Sequence, residues 1–110
     1  MVSGYDSVIN LIKKEKDKGN LLKLVEISLR VSRLPYYCNN EFPGTDVIKE
    51  AIEKYNIPYF YNLKKLVKYN ILEHTKSSRG KSRAYYRMYD PNGVEKALKE
   101  IEGANRRNKE

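Results

Sequence analysis

The side chains best suited to chemistry in this chain are basic, amide-bearing and phenolic, and they crowd into one stretch. They are Tyr59, Tyr61, Asn62, Lys64, Lys65 and Lys68, followed by Lys76, Ser78, Arg79, Lys81 and Arg83. Lysine and arginine neutralise phosphates, and a carboxamide pairs with the N6 and N7 edge of adenine. Lysine also reaches guanine O6 and N7, while tyrosine offers a hydroxyl to phosphate or a ring to a thymine methyl. Together these groups make a polyanion-binding surface able to read bases. Groups for bond-breaking chemistry are sparse. His74 is the single histidine, with no carboxylate or thiol at metal-ligand spacing, so no metal role is expected. Cys38, the single cysteine, excludes an internal disulfide or a multi-cysteine zinc site and reads as a small buried hydrophobe. There is no phosphate-cradling Gly-rich loop, no HExxH and no Gly-x-Ser-x-Gly, and Glu50 and Glu53 read as surface charges on a helix. Neither catalysis nor a cofactor is expected.

The charge distribution sharpens this reading. The 110 residues carry 22 Lys and Arg against 14 Asp and Glu, a formal net of +8. Residues 1–56 net +1 and residues 90–110 net zero, whereas residues 57–89 hold eight basic side chains against Glu73 alone, a net of +7 in 33 residues. A solubilising surface interleaves both signs, as the rest of this chain does; a polyanion-binding surface gathers one. A hydrophobic content of 40% allows one modest core, and no apolar run approaches the ~18 residues a membrane helix needs. The N-terminus lacks the pattern of a secretory signal, so a cytoplasmic, nucleoid-associated protein is expected.

The elements that must position these groups follow from apolar periodicity. Asp6 or Ser7 is expected to cap a first helix with Val8, Leu11 and Ile12 on one face, running to Lys18 and stopped by Gly19. Asn20 is expected to cap a second helix, apolar around most of its circumference from Leu21 to Val31 and closed by Pro35, which places it in the core or in a subunit interface. The connection 34–44 is rich in breakers, with Tyr36, Tyr37 and Cys38 as one short strand. Thr45 is expected to cap a third helix bearing Val47, Ile48, Ala51, Ile52 and Tyr55. Pro58 suits the first turn of a fourth helix to about Asn70, with Phe60, Leu63, Leu66 and Val67 inward and Tyr61, Asn62, Lys64, Lys65 and Lys68 outward. The period then changes to two. Strands Ile71–Lys76 and Arg83–Tyr89 flank a polar turn, the second with Ala84, Tyr86 and Met88 packed and Tyr85, Arg87 and Tyr89 exposed. Asp90-Pro91 opens a last helix with Val94, Ala97, Leu98 and Ile101, stopped by Gly103, so that residues 1–103 form one domain and 104–110 a disordered polar tail.

From residue 20 onward this order resembles the winged helix-turn-helix fold, mainly α with a small antiparallel β-hairpin (α+β). The resemblance is carried by Ile57-Pro58-Tyr59-Phe60-Tyr61-Asn62-Leu63-Lys64-Lys65-Leu66-Val67-Lys68-Tyr69-Asn70-Ile71-Leu72, then Arg79-Gly80-Lys81 and Tyr86. In MarR-like and PadR-like regulators the recognition helix similarly ends in Leu-x-x-Leu, a turn and the start of a strand, with a basic hairpin and a closing helix after it. Asn70 stands where that family usually has Gly, and the connection 32–44 is longer than usual. The resemblance implies double-stranded DNA as partner, a recognition helix at about 58–70 and a basic wing at about 76–83.

A homodimer through helices at about 6–18, 21–31 and 91–102 is expected, because their apolar stripes exceed what one small core requires. A transcriptional regulator is the leading function. A DNA-organising, partition or replication accessory protein, and an RNA- or protein-binding winged module, are the alternatives. Several residues keep two readings: Asn62 as a base contact or a solvated residue, Lys64 as a phosphate contact or solvated, Tyr59 as a DNA contact or an aromatic packed beside Pro58, Tyr85 and Tyr89 as stacking or packing rings. The absence of Gln is one mark of heat-adapted proteins, ten Asn argue the other way, and an AT-rich coding sequence would give the same bias, so a thermophilic or archaeal source and AT-rich coding are alternative readings.

Overall fold

A computed structural model describes residues 3–16, 18–34, 41–58, 63–76 and 84–109, with the side chains of Lys76 and of 104–109 excepted. The order is α1 (Gly4–Lys14), α2 (Lys18–Ser32), β1 (Glu41–Pro43), α3 (Gly44–Tyr55), α4 (Lys64–Lys68), β2 (Leu72–Lys76), β3 (Tyr85–Met88) and α5 (Pro91–Lys109). The chain is mainly helical, with one antiparallel sheet in the order β1-β3-β2. Phe42 pairs with Tyr86 on one side of β3, and Leu72 pairs with Met88 on the other. The register shifts between His74 and Lys76, so the β2–β3 ladder is irregular at the end joined through residues 77–83.

Helix α2 is the pillar. Leu21, Leu24, Val25, Ile27, Leu29 and Val31 are all buried, and the helix packs against α3, α5, β3, α4 and β1. Its apolar circumference is therefore spent inside the chain. The same holds for α1 and α5, which lie against each other with Val8, Leu11, Val94 and Ala97 buried. The surplus stripe that suggested a dimer is thus largely absorbed by this intrachain pair. Large hydrophobics left exposed among the described residues are Ile52, Tyr55 and Tyr89.

Several helix boundaries differ from the periodicity. The fourth helix, expected from Pro58 to about Asn70, is only Lys64–Lys68: Pro58 lies outside any helix, and Leu63 precedes α4 at φ −88°, ψ 4°, a turn rather than a helical conformation. Ser3, not Asp6 or Ser7, caps α1: its hydroxyl accepts from the Asp6 N–H at 3.1 Å. Helix α1 ends at Lys14 because Glu15 leaves in an extended conformation to meet α4, so Gly19 does not stop it. Gly19 instead lies in the first turn of α2, which begins at Lys18 ahead of Asn20 and ends at Ser32, before Pro35. The strand observed before α3 is Glu41–Pro43; Tyr36, Tyr37 and Cys38 lie outside the described residues. Helix α3 starts at Gly44 without a side-chain cap, since the Gly44 N–H donates to the Ala84 carbonyl at 3.0 Å and strand runs directly into helix. Thr45 is therefore inside the first turn. Helix α5 continues through Gly103 to Lys109, across the stretch expected to be a tail, because one glycine costs only about 1 kcal/mol in a helix.

Asp90 ties the two ends of the α1–α5 pair together. Its Oδ2 accepts from the Gly4 N–H at 2.9 Å and its Oδ1 from the Gly93 N–H at 3.2 Å, so one carboxylate caps α5 and grips the first turn of α1. The fit leaves no room at Gly4, where a Cβ would stand 2.5 Å from the Asp90 carbonyl oxygen. Replacing Asp90 by Ala is expected to cost about 1–3 kcal/mol, one lost cap plus a second N–H left without its acceptor, read as a lowered urea midpoint. Asn, which keeps only one accepting oxygen, recovers part of that loss.

Candidate nucleic-acid interface

Helix α4 presents Lys64, Lys65 and Lys68 outward while Leu66 is fully buried and Val67 packs at the core edge. Its end is set by backbone geometry. Asn70 adopts φ 61°, the Asn70 N–H donates to the Val67 carbonyl at 3.0 Å, and the Ile71 N–H donates to the Leu66 carbonyl at 2.9 Å. This is the paired hydrogen bonding of a Schellman stop, with asparagine in the left-handed position that glycine usually fills. Ile71 is fully buried behind it, which turns the chain into β2. The expectation that Asn70 ends the helix in this conformation matches the geometry.

Beneath α4 lies a clasp that the periodicity did not indicate. The Tyr69 hydroxyl donates to Glu15 Oε2 at 2.5 Å, and Lys65 Nζ stands 2.9 Å from Glu15 Oε1. Donation from Tyr69, then from Lys65, holds the Glu15 carboxyl below its ordinary range, with the charges of Lys65 and Lys68 adding to the effect. The same bond raises the Tyr69 phenol. Lys65, expected to face guanine or phosphate, is therefore already paired within the chain and would meet DNA in competition with Glu15. Lys68 lies exposed, its ammonium 5.5 Å from the centre of the Tyr69 ring.

On β3, Arg87 reaches across to Glu73 at 2.7 Å, so one of the eight basic groups in the 57–89 stretch is neutralised across the sheet. Tyr86 stacks on His74 with ring centres 5.1 Å apart and tilts against Phe42, and burial raises its phenol. His74 is thus an exposed ring on an aromatic shelf. Among the described residues there is no group of three or more metal-ligating side chains. Glu50, read as an exposed charge, is mostly covered and bridges Arg30 of α2 and Lys54 of α3.

Of the residues expected to contact DNA, Tyr59, Tyr61, Asn62, Ser78, Arg79, Lys81 and Arg83 lie outside the described residues, as does the Lys76 side chain. Residues 59–62 lead into α4, and 77–83 join β2 to β3. What linear charge counting missed is the contribution of α1. Its last turn carries Lys13 and Lys14, and the Glu15 clasp draws that end to Lys65 and Lys68. The Lys-rich run from Lys13 to Lys18 was the available signal, cancelled in the count by acidic residues elsewhere in the first half. On α5, Glu95 takes Arg33 on one carboxylate oxygen and Lys99 on the other.

Because Glu15 is held low in the folded chain, its contribution to stability is present above its unfolded value near 4.5 and is lost as pH falls through the folded value. Glu15→Gln is expected to be less stable than the parent at pH 7, with the gap closing as the medium is acidified below about pH 4, in thermal melts run across that range. A gap that stays constant with pH would mean that Glu15 acts by packing alone.

No protein-family model matches the chain, and neither a curated protein nor a solved structure does.

Proposed function

We propose that this protein is a sequence-specific double-stranded DNA-binding protein rather than an enzyme, a dimeric transcriptional regulator of winged helix-turn-helix type. The observation that carries the reading is the concentration of net +7 in residues 57–89, which span α4 and the β2–β3 hairpin. From α2 onward the order helix, strand, helix, helix, strand, strand, helix supports it, since this is the order the sequence resemblance implies, with β1 adding a third strand to the expected hairpin.

In this reading the stretch of about 58–70 enters the major groove, whose width of about 12 Å accepts one helix. Asn62 and Lys65 face base edges, Tyr59, Tyr61, Lys64 and Lys68 lie at the groove margin, and Lys76, Ser78, Arg79, Lys81 and Arg83 follow the backbone or minor groove. The burial of Leu66 and the fully buried Ile71 support this orientation, because they commit the opposite face of α4 to the core. A membrane-surface role is disfavoured on the same ground: a surface-binding helix needs its apolar face free. Among the described residues, no helix is long and apolar enough to cross a membrane. The dimer would use apolar side chains that the α1–α5 pair leaves partly covered, Leu22, Leu98 and Ile101, which line an open cleft between α2 and α5.

Selection of bound duplexes from a random library tests the proposal. A discrete motif is expected, palindromic if two copies bind one turn apart. Asn62→Ala should relax base preference by about 1–3 kcal/mol at one position, whereas Arg79→Ala should weaken all sequences and lower the salt slope by about one. Equal, sequence-independent losses from both variants would favour a DNA-coating protein, and no duplex binding at low salt would remove the proposal.

A further inference from the structure

A second basic feature lies at the far end of α4. Asn10, Lys14, Lys68, Tyr69 and Asn70 line a cleft of about 310 Å³ between the last turn of α1 and the turn that ends α4. Asn10 and Lys14 are one helical turn apart and share a face of α1, while Lys68 and Asn70 approach from the other wall. All four are exposed. The Tyr69 hydroxyl is taken by Glu15, so tyrosine supplies a wall here and the donors are two ammonium groups and two carboxamides.

The charge of the cleft selects its ligand. Two lysines bring +2. The last turns of α1 and α4 border the cleft, and even half a negative charge on each C-terminus leaves a net of about +1. Glu15, just behind, is offset by Lys65 at 2.9 Å. A cation is repelled, and a tetrahedral oxyanion of single charge, with several acceptor oxygens, matches both the charge and the donors. A phosphodiester has that charge and those oxygens. The major groove is bordered by phosphates, so an element lying in it brings one end to the backbone.

We infer that the α1–α4 cleft seats one phosphate group of the DNA backbone, with Lys14 and Asn10 extending the contact surface onto α1. This rests on the DNA-binding reading, and it adds a helix that neither the net charge of residues 57–89 nor the winged-helix resemblance assigns to the interface. Its consequence is that a segment outside the recognition helix and hairpin fixes how the duplex is seated, without reading sequence.

The test uses the full chain and Lys14→Met, with Lys96→Met on α5, outside both this cleft and the α2–α5 cleft, as a control that removes the same charge elsewhere. Affinity for a duplex is measured between 50 and 200 mM salt, and inorganic phosphate is titrated separately while the side-chain amides of Asn10 and Asn70 are followed by NMR. If the seat is occupied, Lys14→Met lowers affinity roughly eightfold at 0.1 M salt and flattens the salt slope by about 0.9, and Lys96→Met changes the slope far less. If both variants alter the slope equally while the parent binds DNA, the cleft proposal falls and the DNA reading stands. If the parent binds no duplex but phosphate shifts the two amides in a Lys14-dependent way, the seat holds for a free phosphate and the backbone source is wrong. If neither ligand acts, both are overturned.

Discussion

Helix α2 carries six buried aliphatic side chains distributed around most of its circumference, and such a helix has to be enclosed from several directions. Helix α3, helix α5, helix α4 and strands β1 and β3 supply the enclosure. Each of these elements therefore has one face committed inward, and what it shows to solvent is decided by the residues left over. For α4, the inward residues are Leu66 and, at its edge, Val67, and what remains outward is Lys64, Lys65 and Lys68. Burial of one helix thus determines which side of the molecule is basic.

The clasp at Glu15 then joins two segments that are distant in sequence. A carboxylate receiving one phenol and one ammonium holds the end of α1 against α4. It costs some positive charge at Lys65, but it draws the Lys13–Lys14 end of α1 to the basic side. Around α2 and α5, Arg30, Arg33 and Lys99 are answered by Glu50 and Glu95. Among the described residues, ion pairs around α2 and α5 thus contrast with the cations gathered at the end of α1 and on α4, a contrast the linear charge profile does not show.

Where side-chain period or local chemistry governs, the sequence was legible. The stripes of α1 and α5, the burial of Met88 and the aspartate that opens α5 follow from local patterns, as does the left-handed Asn70; the alternation expected along β3 does not, since Tyr85 and Arg87 are half-buried like Ala84 and Tyr86. Where a tertiary contact governs, it was not. Helix α1 ends early because Glu15 is pulled to Tyr69 and Lys65, and no residue near Lys14 announces that stop. Strand β1 is only Glu-Phe-Pro, too short to show a period; it exists because β3 offers an edge to pair with. Gly19 and Gly103 stop neither helix: a Cβ at either would meet nothing within 4 Å, so no close approach calls for glycine there. The candidate site was legible as a list of basic residues, but its reach onto α1 required the fold.

The most direct measurement is an NMR titration of the isotope-labelled full chain with a short duplex at low salt. The account predicts amide shifts concentrated at residues 58–70 and 76–85, continuing onto the end of α1, while the cleft between α2 and α5 stays unchanged. Shifts centred on α2 and α5, or none at any duplex concentration, would contradict it.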